Sequence, residues 1–481
     1  MSLSKAYTAG IVAFMVTMVA ALLAHQYLLM SIVPVGLLLW AGLHKPEWLF
    51  FCLLASIPLS AELQLTPSLG TDFPDESLMW LLTPVMFLLL LQQREKVRTW
   101  LDSSIGLLLL LSLGWTLITV FFSDARWLSL KFLLAKIWYI LPFTVGSIFF
   151  LGDERSLRRA AHWILVPLTI TVLYVNYWHA RWGFSFVGVN YITWPFYRNH
   201  VNYGALLVCL IPVAWAVSRH NGKAGTYMKG LTLLLLIALF FTYSRGAWLA
   251  LAAGMLTVWF IKKRVVHIVF LVSTLMLFSA GYWLLSDNQY LRYRPTYERT
   301  IYHGDFNDHL VATYALRDLS TIERFYRWIA ASRMIGERWF TGFGPNTFYP
   351  KYQQYTVAEY RTYVSDNPEH STVHNYFLLL LTEQGVIGIL LFYLLFLVML
   401  WKAQQLYHTG TTAFLKGMGL LIGAVVAMIG VLNLLSDLIE TDKVGSIFYL
   451  CAGILIALDR KNQEALRPSH PAHRAADCPA D

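Results

Sequence analysis

Four places in the 481-residue chain set ionisable side chains at the ends of long apolar runs, where a charge is costly unless it has a partner or a task. The first is Tyr197-Arg198-Asn199-His200-Val201-Asn202-Tyr203, where a loop rich in Trp and Tyr enters a run. Arg198 stands at the lip of a helix N-terminus, whose free N–H groups and dipole also favour an anion, and Asn202 lies one turn further in. An interfacial Arg reaching back to water is the competing reading. The second is Thr242-Tyr243-Ser244-Arg245-Gly246-Ala247-Trp248, a turn of two or three residues between two apolar runs. Arg245 has little room to reach solvent there, so it needs an anion. Its planar fork suits phosphate, and Gly246 lets a ligand come close; a distant Asp or Glu partner is the alternative. The third is Asp366-Asn367-Pro368-Glu369-His370-Ser371-Thr372-Val373-His374-Asn375-Tyr376. Asn367 as N-cap and Pro368 behind it predict a helix start, which sets His370 and His374 on one face, one turn apart. Two His at that spacing could bind Zn²⁺, but with no evident third ligand and no metalloprotease motif a metal centre is the least favoured reading of the pair. An imidazole that titrates near neutrality suits a base or orienting group for a hydroxyl; an interfacial His bonded to backbone is the other reading. Glu383, nine residues beyond His374, falls on the opposite side of such a helix and cannot pair with it there. The fourth is Lys131 with Lys136, the latter about 7–8 Å deeper, either meeting a lipid-linked anion or snorkelling outward.

The elements that position these residues are membrane spans. The chain is 57% hydrophobic and 14% charged, whereas soluble domains run at roughly 45–50% and about 25%. A water-soluble globule is excluded. Apolar runs cover Thr8 to Leu23, Tyr27 to Leu43, Trp48 to Ser60, Ser77 to Leu91, Ser104 to Phe122, Phe132 to Leu151, Ala160 to Trp178 and Val201 to Val217. They continue over Leu231 to Tyr243, Ala247 to Ile261, Val265 to Leu285, Val373 to Trp401, Ala413 to Leu432 and Gly445 to Leu458. Two of the fourteen are short, so the expectation is an all-α polytopic protein of 12–14 transmembrane helices. With the N-terminus inside, 20 of the 37 Lys and Arg fall on inner loops and the tail, against six on the short outer loops. The net charge of +9 therefore marks topology, not a nucleic-acid surface, and both termini are expected in the cytoplasm. The first run reads as a retained anchor instead of a cleaved signal. The four cysteines have no pairable spacing, which implies neither a disulfide framework nor a cysteine metal site.

Helices 1–11 thus occupy residues 1–285, helices 12–14 residues 373–458, and a cytoplasmic tail 459–481. Between them residues 286–372 form an 87-residue outer loop, long enough to carry function, in which ten basic residues nearly balance ten acidic ones. Inside it Ser320-Thr321-Ile322-Glu323 has a capping-box pattern, and Phe325, Trp328, Ile329, Ile335 and Trp339 follow at helical spacing. The amphipathic helix so predicted ends at Thr341-Gly342-Phe343-Gly344-Pro345-Asn346. It either lies on the membrane surface or forms a lid over an outward-facing cavity.

Together these residues imply an outer cavity lined with Arg, with a His near its mouth. A polyprenyl diphosphate carrying a sugar would use it: the lipid needs hydrocarbon access, the diphosphate needs cations, and the attacking hydroxyl needs a proton acceptor. Here the sequence resembles the O-antigen ligase/polymerase superfamily of bacterial envelope glycosyltransferases. The matching signals are Arg198 with Asn202, the Ser244-Arg245-Gly246-Ala247-Trp248-Leu249-Ala250 turn, Gly342-Phe343-Gly344-Pro345-Asn346, and His374-Asn375-Tyr376-Phe377-Leu378 followed by Glu383, Gly385 and Gly388. They span roughly Tyr197 to Leu400, and their order around a large outer loop is more specific than any one of them. The resemblance implies a C-type multi-span glycosyltransferase fold in the bacterial inner membrane, with its site facing the periplasm. It implies that Arg198 and Arg245 bind the diphosphate of an undecaprenyl-diphosphate-linked glycan; Lys136, from its depth in the span, is placed with them as a further diphosphate ligand. His374, with His370 as its competitor, would assist the acceptor, with Asn202 and Asn375 in support and neither metal nor other cofactor required. The acceptor is lipid A-core oligosaccharide for a ligase, or a growing glycan for an O-antigen or exopolysaccharide polymerase. Two competing readings remain: a lipid-linked oligosaccharide flippase, and a metal-dependent C-type enzyme using outer acidic residues such as Asp72 and Asp75.

Overall fold

The computed structural model describes residues 44–66, 69–219, 222–295, 318–362, 365–367 and 371–466, with Gly36 and Val311, and only the backbone of residues 64–66 and 69. The runs Thr8 to Leu23 and Tyr27 to Leu43, and with them the expected N-terminal anchor, lie outside the described residues; each of the other twelve runs falls on a helix. These are α1 (Pro46–Ser56), α2 (Asp75–Gln92), α4 (Ser104–Phe121), α5 (Arg126–Phe150), α6 (Glu154–Arg181) and α7 (His200–Ser218). They continue as α8 (Lys223–Phe241), α9 (Arg245–Lys262), α10 (Val266–Leu285), α13 (Tyr376–Thr409), α14 (Ala413–Leu435) and α15 (Asp442–Leu466). Three helices lie between spans: α3 (Arg94–Leu101), α11 (Leu319–Glu337) and the single turn α12 (Phe348–Lys351). Among the described residues nine helices are long and apolar enough to cross a membrane. The chain is an all-α, multi-pass membrane protein.

Helices are the outcome because lipid offers no partner to a bare N–H or C=O, so each span closes its own hydrogen bonds. Their starts carry side-chain caps: Ser103 for α4, Asp153 in a full capping box for α6, Asn199 for α7 and Thr412 for α14. One departure is a short antiparallel hairpin, β1 (Ala61–Thr66) with β2 (Leu69–Phe73), pairing Ala61 with Phe73 and Glu62 with Asp72 in the loop before α2.

Packing is tightest around α7, α14 and α15. Between lipid-soluble helices there is little hydrophobic drive, so small residues matter because they let helices approach and gain dispersion contact. At Gly453 of α15 an added Cβ would stand 2.8 Å from the carbonyl oxygen of Phe143 on α5, and at Gly254 of α9 it would meet Met428 of α14 at 2.1 Å. By contrast α10 buries only Val266.

One face of the expected amphipathic helix, α11, walls the cavity described below. Its cap differs from the expected capping box: Asp318 is the N-cap and accepts from Thr321 N at 3.2 Å. Glu323 is thereby released from capping, and its carboxylate accepts hydrogen bonds from Thr362 Oγ1 and from Ser365 Oγ (2.6 Å) further along the loop. The start of α13 is also displaced. Residues 371–375, which the Asn367–Pro368 signal would place in a helix, are not helical, and Asn367 is spent on a local clasp with Ser371, accepting from its N (2.9 Å) and donating to its O (2.8 Å). The helix begins at Tyr376, capped by Asn375, which accepts from Leu378 N at 3.0 Å and donates to Leu434 O at 3.0 Å. His374 therefore precedes the helix, with φ at +55°; His370, the other histidine of the expected pair, lies outside the described residues.

Candidate functional site

A cavity of about 610 Å³ opens where the N-termini of α7 and α9 meet the C-terminal end of α14 beneath α11. Leu249, Leu432, Leu435 and Val201 give it an apolar wall, and Arg245 and Arg324 face into it from opposite elements. Arg245 is the first residue of α9, held there because the turn through Thr242 and Ser244 leaves it one route, into the cavity. Its Nη2 lies 3.7 Å from Asp318 Oδ2, while its Nη1 is buried with no hydrogen-bond partner. Arg324 projects from the second turn of α11; Nη1 donates to Ser320 Oγ at 3.0 Å and Nε is buried without a partner. Burial, then repulsion from Arg245, pushes the Arg324 guanidinium down to about 10. Two cations that repel each other across an apolar pocket, each with an N–H unspent, are stabilised by an anion placed between them.

His374 is not among the residues that line the cavity, and the chain just before it is tied to α11. Arg327 Nη1 donates to Thr372 O (3.4 Å) and Trp328 Nε1 to Val373 O (3.1 Å), which ties the strand of chain before α13 to α11. Thr372 Oγ1 in turn donates to Asp437 Oδ2 at 2.6 Å. Burial first, then the charges of Arg324 and Arg327, pushes the imidazole down to about 3, so it is neutral with a lone pair available at pH 7.

The structure thus brings Arg245 to the cavity and His374 within electrostatic reach of it. Arg198 is exposed, one residue ahead of the α7 cap and outside the cavity lining; burial pushes the Asp437 carboxyl up, and the Arg198 charge offsets only part of that. Asn202 is half-buried, and its backbone N–H serves the Asn199 cap. Asn375 is itself a helix cap. Lys136 faces another, small pocket, where its ammonium meets Glu440 Oε1 at 2.7 Å with Tyr449 and Tyr376 hydroxyls at 3.3 and 3.4 Å. We expect Lys136→Met, which strands Glu440, to cost roughly 2–3 kcal/mol in thermal unfolding, less than for a fully buried pair because Glu440 keeps 21% exposure. Donor KM should stay near wild type in the same preparation.

Arg324, His200 and Asp318 are the site residues that spacing did not single out. His200 opens α7 and lines the cavity, yet it reads in sequence as one more polar residue beside Arg198. Arg324 is one of three arginines on α11, and only docking of the helix decides which faces inward.

The glycine-rich turn after α11 is a joint. Phe343 N and Gly344 N donate to Thr382 O (3.0 Å) and Glu383 O (2.9 Å), where α13 is broken at Gly385. The Glu383 carboxylate accepts from Asn346 N (2.8 Å) and Phe348 N (2.9 Å), closing the start of α12. Asp75, one of the outer acidic residues, is buried beside Asp442, whose Oδ2 accepts from Ser60 Oγ and Lys443 Nζ, both at 2.7 Å.

No curated protein matches the chain. Residues 230–393 match the family model described as O-antigen ligase, a segment that holds Arg245, α11 with Arg324, the glycine joint and His374. That match, over residues 230–393, supports the resemblance to the O-antigen ligase/polymerase superfamily of membrane ligases and polymerases.

Proposed function

We propose that this protein transfers a glycan from undecaprenyl diphosphate to a hydroxyl of lipid A-core oligosaccharide, on the periplasmic face of the inner membrane with both termini in the cytoplasm. The observation that carries the reading is the pair Arg245 and Arg324 facing one apolar-walled cavity. The apolar wall admits the polyprenyl chain, and the two guanidinium groups take the diphosphate. The acceptor oxygen attacks the anomeric carbon, the bond from that carbon to the diphosphate oxygen breaks, and its electron pair leaves with the lipid diphosphate. The arginines meet that growing charge. The hydroxyl proton passes to the His374 imidazole. The direct test supplies undecaprenyl-diphosphate glycan and lipid A-core to the protein in proteoliposomes. Glycan joined to core is expected; glycan lengthened on its carrier would make the protein a polymerase, and neither product would sink the reading.

A pH dependence follows. His374 is pushed down to about 3 by burial and by the charges of Arg324 and Arg327. Bound diphosphate cancels part of that cationic field, so the imidazole becomes a stronger base when donor is present. The acid limb of kcat, which reports the loaded enzyme, should therefore lie at higher pH than that of kcat/KM. His374→Asn should lower kcat by about 10²–10⁴-fold and flatten that limb. Stability has the matching sign. The folded protein holds this proton less well than the unfolded chain, so stability is full above about 6.5 and falls as pH drops toward about 3.

A further inference from the structure

Asp318 carries a feature that capping alone does not need. Its side chain is 0% exposed, and Oδ2 both accepts from Thr321 N (3.2 Å) and lies 3.7 Å from Arg245 Nη2. Oδ1 is buried with no hydrogen-bond partner, as is Arg245 Nη1. The 3.7 Å separation is longer than the roughly 2.7–2.9 Å of a charge-assisted hydrogen bond, so the pair is loose and the guanidinium is free to turn to a better ligand. Turning away leaves the Thr321 cap intact. We propose that Asp318 sets the selectivity of the cavity: a fixed carboxylate that holds the place of one phosphate on Arg245, yields to a diphosphate, and excludes singly charged phosphodiester headgroups.

The proposal rests on the diphosphate-binding reading above and adds what that reading lacks, a reason the cavity does not fill with membrane lipid. Glu323 and Arg327 pair with each other at 3.5 Å, which leaves, among the described residues, Arg245 and Arg324 against Asp318 as the charges at the cavity end of α11. That balance is one net positive charge. A diphosphate diester brings two negative charges and enough oxygens to engage both arginines, so it can replace the carboxylate. A phosphodiester lipid brings one charge, reaches one arginine, and must sit beside the carboxylate that remains, a like-charge contact that is costly in an apolar pocket. Two arginines with no carboxylate would take either.

The test uses the full chain in phosphatidylcholine nanodiscs, with and without added phosphatidylglycerol, and geranylgeranyl diphosphate as the binding probe. Asp318→Asn removes the charge and keeps a good cap. Wild type is expected to bind the probe with similar affinity in both lipids after correction for the surface-potential effect common to every variant. Asp318→Asn should lose at least about tenfold in affinity on adding phosphatidylglycerol, because the anionic lipid now competes. Asp318→Ala, lacking charge and cap alike, should show the same lipid sensitivity with a lower melting temperature, which assigns selectivity to the charge. Equal lipid sensitivity in wild type and Asp318→Asn would overturn the proposal while leaving the diphosphate site standing. If wild type binds no better than Arg245→Ala in pure phosphatidylcholine, the parent reading falls and this one with it.

Discussion

Arg245→Ala and Arg324→Ala are each expected to lower kcat/KM for glycan transfer by about 10²–10³-fold, with the protein still inserted in the membrane. The magnitude comes from the role. Each guanidinium meets charge that grows on the leaving diphosphate in a pocket walled by Leu249, Leu432 and Leu435, where water screens little. Because both are assigned to one diphosphate, the double variant should lose much less than the product of the two single losses. Arg245→Lys should recover only part of the rate, since an ammonium keeps the charge and loses the fork. Arg198→Ala is the contrast: exposed and outside the cavity lining, it should stay within a few-fold of wild type. Single-turnover transfer with purified variants in proteoliposomes separates these, with thermal unfolding as the control, since Arg245→Ala also strands the buried Asp318. A fully active Arg324→Ala protein would move the diphosphate site elsewhere.

Arg245 was legible in the sequence because the reason for it is local. A turn of two or three residues between apolar runs denies an arginine water, whatever the rest of the fold does, and so predicts an anion or a carboxylate there. The structure supplies a carboxylate, Asp318, at a distance too long to satisfy it. Arg324 was hidden for the converse reason. Helical periodicity shows that Phe325 and Ile329 share an apolar face but not what that face will cover, and the inward direction of Arg324 exists only once α11 walls the cavity. The same logic explains the misplaced start of α13. Asn367 followed by Pro368 is a good cap signal by local rules, yet Asn375 has Leu434 O as a further partner and Asn367 has Ser371, so tertiary contacts choose the later residue. The helical argument that separated Glu383 from His374 does not apply, since His374 precedes the helix, and the partners of Glu383, the backbone N–H groups of Asn346 and Phe348, leave no trace in side-chain spacing. The hairpin at Ala61–Phe73 was missed because membrane hydropathy says nothing about the short connections between spans.

Gly385→Ala is expected to give the largest loss of stability of any substitution considered, above about 4–5 kcal/mol, and with it loss of transfer activity. At φ +66° and ψ −168° the residue occupies backbone space open essentially to glycine alone. An added Cβ would also stand 2.0 Å from Phe340 O and 2.3 Å from Phe340 C, backbone atoms that cannot swing aside as a side chain would. The break it allows exposes the carbonyls of Thr382 and Glu383, and these receive Phe343 N and Gly344 N, while Val386 N donates to Trp339 O at 2.9 Å. Losing the break therefore strands several buried backbone groups at once, each costly in a region poor in water. Since total stability is about 5–15 kcal/mol, little folded protein should accumulate. The consequence for chemistry follows from chain geometry. This joint fixes the end of α11, which carries Arg324, to α13, whose first turn follows His374, so releasing it separates the diphosphate ligand from the base. Gly336→Ala is the matched control: it lies within α11 with no atom within 4 Å of the added Cβ, and should leave stability unchanged or raise it by up to about 1 kcal/mol. Melting temperatures of both variants in detergent, with limited proteolysis of the loop between α11 and α13, decide the matter. A Gly385→Ala protein that melts like wild type and resists cleavage would mean that the glycine joint does not hold α11.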